Sequence, residues 1–125
     1  MLDKKTRKMK KENIILDKSF DFALQIIELY KQLVAEKEFI LSKQLLRSGT
    51  SIGANVEEAT AGISRKDFTA KMSIASKEAR ETRYWLRLLA KSTLVNLDFK
   101  KHLDEIENII NILTAIVKTS QENSK

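Results

Sequence analysis

Cysteine and proline are both missing from this sequence, glycine occurs only three times, and histidine once. Without cysteine there can be no disulfide and no thiolate metal site, and cysteine usage leaves the redox compartment open. The lack of proline and scarcity of glycine deprive a β-rich fold of its tight turns and favour helices joined by short links. No apolar run approaches the roughly 20 residues that a membrane span needs. The basic N-terminus lacks the apolar segment of a secretory signal. These absences lead to the expectation of a cytoplasmic protein that makes no membrane contact.

The residues that carry most enzyme chemistry are equally sparse. His102 stands alone, and the Glu-x-x-His pair of carboxylate-bridged metal bundles is absent, because Glu105 and Glu107 follow the histidine rather than precede it. A phosphate-cradling loop needs Lys then Ser or Thr after its last glycine, and here Gly53 is followed by Ala54 and Asn55. Glu57, Glu58, Glu78 and Glu81 could in principle pair as acid and base. Glu78 and Glu81 share a helix face with Ile74, Trp85 and Leu88, and a half-covered carboxylate needs a partner. Ion pairing with Arg47, Arg80 or Arg83 is the reading they favour. No nucleophile stands with its base. The expectation is a protein that is not an enzyme and takes no metal and no cofactor.

What is present is helical periodicity. The chain has 125 residues, enough for one domain with a core of its own. Phe68, Met72, Ala75, Ala79, Thr82, Leu86 and Leu89 recur at spacings of four and three, a heptad seam facing a neighbour helix. Leu41, Leu45, Ser48, Ile52, Val56, Ala59 and Ile63 do the same, and their rhythm continues through Gly49 and Gly53. Each glycine inside a helix costs about 1 kcal/mol against alanine. With Ser48, Gly49 and Gly53 on one helix and Ala75 and Ala79 on another, close helix packing would offset that cost. Gly62 reads as a helix stop, and Ser64 as an N-cap with Asp67 three residues on. Asp17 or Ser19 and then Asp98 are the other N-cap candidates. Phe99, Leu103, Ile106, Ile110, Leu113 and Val117 form the last seam, with Ile109, Ile112 and Ile116 as a second strip.

These segments predict an all-α, antiparallel, up-down-up-down four-helix bundle, with helices at about 17–35, 38–62, 64–92 and 98–120. Residues 1–12 read as a basic flexible arm or a frayed extension of the first helix. The first helix carries two apolar faces, Phe22, Ile26, Leu29 and Leu33 beside Phe20, Ala23, Leu24, Ile27, Tyr30 and Val34. So broad an arc fits either deep burial within one chain or burial that includes a second subunit. The last helix raises the same two possibilities.

The net charge is +6, and it is unevenly placed. Lys4, Lys5, Arg7, Lys8, Lys10 and Lys11 crowd the arm. Lys77, Arg80, Tyr84, Arg87 and Lys91 repeat at helical spacing and make a basic stripe with one aromatic. A segregated basic surface points to an anionic partner, first of all RNA or DNA bound through phosphates without base reading. Tyr84 can stack on an unpaired base or pack in an interface; Trp85 is better suited to packing. A protein-interaction scaffold, with the stripe against an acidic protein or a neighbouring subunit, is the alternative.

The runs KSFDFALQIIELYKQL (Lys18 to Leu33), LSKQLLRSGTSIGANVEEA (Leu41 to Ala59), SRKDF (Ser64 to Phe68) and KEARETRYWLRLL (Lys77 to Leu89) resemble the four-helix-bundle family known as 23S rRNA-intervening sequence proteins. Members are similar to the accessory protein of diversity-generating retroelements, which forms a barrel-shaped homopentamer with a basic surface and associates with a reverse transcriptase and nucleic acid. The resemblance implies a homopentamer and an uninterrupted second helix. It supplies no catalytic residue and no mapped nucleic-acid site. Many members are reading frames within ribosomal RNA gene insertions and have no assigned role.

Overall fold

The computed structural model describes residues 3–123, with all side chains in that range except those of residues 4–9. The chain forms four helices, α1 (Lys4–Ala35), α2 (Leu41–Thr60), α3 (Arg65–Ser92) and α4 (Lys100–Asn123). Each packs against its two neighbours around a square: α1 on α2 and α4, and α3 on α2 and α4, while the diagonal pairs stay apart among the described residues. With short links between successive helices this is the expected up-down-up-down bundle.

α2 sets how closely the helices approach. A methyl group on Gly49 would stand 2.9 Å from Cγ2 of Ile26, and one on Gly53 would stand 3.3 Å from the carbonyl oxygen of Ser19. The glycines therefore face α1 and let its backbone and its β-branched side chain come into contact. On its other side α2 presents the buried Ser48, whose hydroxyl bonds the Thr82 hydroxyl of α3 at 2.9 Å. The Ser-Gly-Thr cluster that looks like a loop locally is thus helix interior, because tertiary packing outweighs propensity. Ala75 and Ala79 are fully buried along the α3 seam with Met72, Thr82, Leu86 and Leu89. Phe22, Ile26, Leu29 and Leu33 of α1, Leu45, Ile52 and Val56 of α2, and Ile106, Ile109 and Leu113 of α4 complete the core.

Several boundaries differ from those the sequence implies. α1 does not begin near residue 17 but at Lys4. Lys, Arg, Met and Glu are good helix formers, and no glycine or proline interrupts them. Ser19 is inside the helix, buried, with its hydroxyl donating to the carbonyl of Leu16 at 3.3 Å. α2 begins at Leu41 rather than residue 38. The Glu38 carboxylate sits outside and accepts the N–H groups of Ile40 at 3.3 Å, Leu41 at 3.0 Å and Ser42 at 2.6 Å. Glu38 thus does the work of an N-cap from two residues upstream. Burial pushes its carboxyl up, but those backbone donors outweigh burial and hold it below the usual carboxylate range.

α2 ends at Thr60, so Ile63 leaves the seam and is 98% exposed in the link. Gly62 does follow the helix end, but without a positive φ; its space is needed because a Cβ would meet the Ala59 carbonyl at 3.0 Å. Ser64 caps α3 as expected, accepting the Asp67 N–H at 3.0 Å. Asp98 accepts the Lys100 N–H at 3.0 Å, and α4 starts there and continues to Asn123. Ser120, near the end of α4, is buried and bonded to Thr69 of α3.

The stops of α1 and α3 are made without glycine. Glu38 N–H reaches the Leu33 carbonyl and Lys37 N–H the Val34 carbonyl, each at 2.9 Å, with Lys37 at φ 64°. This is a Schellman turn built on a lysine. Thr93 closes α3 at φ 58° and ψ 20°, a conformation costly for a β-branched residue.

Gly49→Val should lower unfolding stability by about 2 kcal/mol, since it overpacks Ile26, whereas the exposed Ala54→Val should change it by less than about 0.5 kcal/mol; urea denaturation measures both. Glu38→Ala should cost about 1 kcal/mol at neutral pH, as a lost cap does. A depressed folded pKa contributes stability above the unfolded value, about 4.3 for glutamate, and loses it as pH falls through the folded value. The difference between wild type and Glu38→Ala should therefore shrink in urea titrations run at progressively lower pH in the acid range.

Candidate nucleic-acid interface

α3 turns its seam inward, and the helical period then directs a second line of residues the other way. Lys77, Arg80, Tyr84, Arg87 and Lys91 are all exposed. From Lys77 to Lys91 the line covers about 21 Å at 1.5 Å per residue. The exposed Lys66 lies three turns before Lys77 on the same line. Its spacing of eleven residues, close to three whole turns, is the sequence signal that joins it to the stripe. Lys118 of α4 is also exposed, one turn beyond Thr114, to which the Arg80 guanidinium donates at 3.2 Å.

The other arginines of this region are committed to carboxylates. Arg47 of α2 bridges to α3, donating to Glu78 at 3.2 Å and to Glu81 through its second nitrogen. Arg83 pairs with Glu107 of α4 at 2.6 Å. Among the described residues no ion pair involves Lys77, Arg80, Arg87 or Lys91. Of Arg47, Arg80 and Arg83, only Arg47 pairs with Glu78 and Glu81 among the described residues. The stripe is therefore open to solvent and held in no ion pair, with Lys77 alone feeling the charge of Glu81.

The aromatic pair divides its tasks. Trp85 is half-buried against the core, and its indole N–H donates to Glu81 at 3.0 Å. That bond, ahead of Arg47 and against the opposing effect of burial, holds the Glu81 carboxyl below its ordinary range. Tyr84 is 54% exposed, and its ring meets the indole edge-on, with centroids 5.2 Å apart. Arg47, Glu81 and Trp85 thus form a chain of contacts that ends under Tyr84.

The other site candidates are elsewhere. Lys10 and Lys11 are exposed on α1, which lies diagonally across the bundle from α3, so they do not continue the stripe. The side chains of Lys4, Lys5, Arg7 and Lys8 lie outside the described residues. His102, whose isolation implies a surface or rim residue rather than a metal ligand, lies at the rim. It is half-buried, with Nδ1 buried and without a hydrogen-bond partner. Burial first, then the charge of Lys101, keeps the imidazole pKa below its usual value. Among the described residues no cluster of His, Cys, Asp or Glu could hold a metal ion, and no helix is long and apolar enough to cross a membrane.

The comparisons with known proteins agree with this architecture. Residues 11–115 match the 23S rRNA-intervening sequence protein family. The chain belongs to that family. A crystal structure of a protein of unknown function from the S23 ribosomal protein family of Bacteroides thetaiotaomicron is similar to it, with 47% identity and a TM-score of 0.82. The likeness covers 86% of this chain and 98% of that one. The search of curated proteins found no match. The structural likeness fits the four-helix fold, and the comparisons bring a relative of unknown function rather than a reaction. The charged α3 face of this 23S rRNA-intervening sequence protein has to be read from its own residues.

Proposed function

We propose that this protein is a non-enzymatic, self-associating bundle that binds nucleic acid through phosphate contacts, largely without sequence specificity. The observation that carries the reading is the open α3 line, Lys77, Arg80, Arg87 and Lys91, exposed and free of ion pairs while Arg47 and Arg83 are neutralised nearby. Such cations displace the counterions of a phosphate backbone, so affinity falls with salt. None of the four lies at the N-terminal end of a helix that could enter a groove and read base edges. The overall charge of +6 adds a favourable long-range field.

Self-association rests on α1. Phe20, Leu24 and Ile27 follow helical spacing and are 64%, 50% and 38% exposed, beside the covered face of Phe22, Ile26, Leu29 and Leu33. A contiguous apolar strip left in water is the mark of an interface, and a second copy of the chain is the partner inferred here. α4 gives no such support: Ile109 and Ile116 are buried and Ile112 half-buried within the same chain. The similarity of members of the resembling family to the accessory protein of diversity-generating retroelements makes five the copy number to test. It also makes a reverse transcriptase the protein partner to try, should the stripe serve an acidic protein surface instead.

A labelled oligonucleotide titrated by fluorescence anisotropy should bind with a log K against log salt slope that includes about −3 from four phosphate contacts. Replacing Lys77, Arg80, Arg87 and Lys91 together with Glu should abolish that part of the slope and most of the binding. Binding that is absent at low salt, or indifferent to the replacement, would overturn the nucleic-acid reading. Light scattering at micromolar concentration should show an assembly for the wild type and a monomer for Leu24→Glu. A monomeric wild type would overturn the self-association reading.

A further inference from the structure

Resting on the phosphate-binding reading, we propose that the ligand is single-stranded: the open face of Tyr84 receives an unpaired base while Arg80 and Arg87 hold the phosphates on either side. The placement of the ring carries the inference. An aromatic more than half exposed leaves apolar surface in water, and this one stands at the middle of a line of free cations rather than at a packing seam. Arg80 is four residues before it and Arg87 three after, so along the axis the guanidinium-bearing residues flank the ring at about 6 and 4.5 Å. Lys77 and Lys91 each stand seven residues away, about 10.5 Å along the axis. A strand running along α3 would meet cation, cation, ring, cation and cation in succession.

The ring is also held in place. Its neighbour Trp85 supports it edge-on at a centroid distance of 5.2 Å and an interplanar angle of 68°. Trp85 is itself fixed by the 3.0 Å bond to Glu81, and Glu81 by Arg47 from the adjacent helix. A stacking platform gains from such support, because little side-chain freedom remains to be lost when the base arrives. Stacking on an aromatic is tolerant of base identity, since every base has a π-face. That agrees with a site lacking groups placed to read base edges. A duplex would gain nothing from Tyr84. Its bases are stacked on one another, and a ring on the crest of a convex helix would meet only the sugar–phosphate exterior.

The test compares an unstructured single strand of about 15 nucleotides with a duplex of the same length, at equal salt, on the full chain. The single strand should bind more tightly and change the emission of Trp85, the only tryptophan. Tyr84→Leu, which keeps apolar bulk but removes the π-face, should weaken single-strand binding by about tenfold and leave duplex binding unchanged. Tyr84→Phe should bind like wild type. Duplex binding equal to or tighter than single-strand binding, or Tyr84→Leu with wild-type affinity for the single strand, would overturn the stacking inference while the phosphate reading stands. Failure of both oligonucleotides to bind at low salt would overturn both.

Discussion

The close approach of α2 to its two neighbours is the constraint from which the rest of the bundle follows. Gly49 and Gly53 bring α1 in until Ile26 and the Ser19 backbone touch α2. Ser48 draws α3 in through the Thr82 hydroxyl. A helix this slender at its centre cannot fill the core itself, so the bulk comes from Phe22 and Leu29 of α1, Met72 and Leu86 of α3, and Ile106 and Ile109 of α4. Interiors are packed to crystal-like density, which fixes the rotation of each helix about its own axis once the seams engage. The rotation of α3 then determines which residues face outward. The basic line is where it is because Ala75, Ala79 and Thr82 are where they are.

Two populations of cations result. Arg47 and Arg83 stand at the borders between helices and meet carboxylates across them. Such partly exposed pairs add little stability, but they orient side chains, and Arg47 does so for Glu81 and through it for Trp85. The outer line of α3 forms no ion pair among the described residues, although Lys77 lies near enough to Glu81 to act on its charge. Segregation of the two sets is a matter of position on the helix circumference rather than of composition.

The sequence revealed the seams well because burial of a helix face imposes its period directly on residue type. Met72 through Leu89 and Leu45 through Ala59 are buried at the positions the spacing marked. The same rule carried α2 through two glycines against local propensity. Helix ends were less legible. The α1 start moved because a run of Lys, Arg and Met has no stop signal, and the α2 start because Glu38 supplies its cap from a distance. Breadth of apolar arc was ambiguous in principle: α4 covers its second strip within the chain, whereas α1 leaves Phe20 and Leu24 in solvent. For the candidate site, periodicity placed Lys77, Arg80, Arg87 and Lys91 on one line, but not their freedom from ion pairs. Tyr84 and Trp85 are adjacent residues about 100° apart on the helix, and only the packing of neighbouring helices could say which of them is covered.

The two glycine-free helix stops share an end of the molecule. Lys37 follows α1 and Thr93 follows α3, and in an up-down-up-down chain both links lie on the same side. Each left-handed residue carries roughly 1–2 kcal/mol of backbone strain. Local opening that relaxes those links is correspondingly less uphill there than at the Ser64 end, so amide exchange should be graded along the bundle. Lys91 sits next to the yielding end, while Tyr84 is two turns inside. A strand lying on α3 would thus be gripped firmly at its middle and more loosely toward one tip.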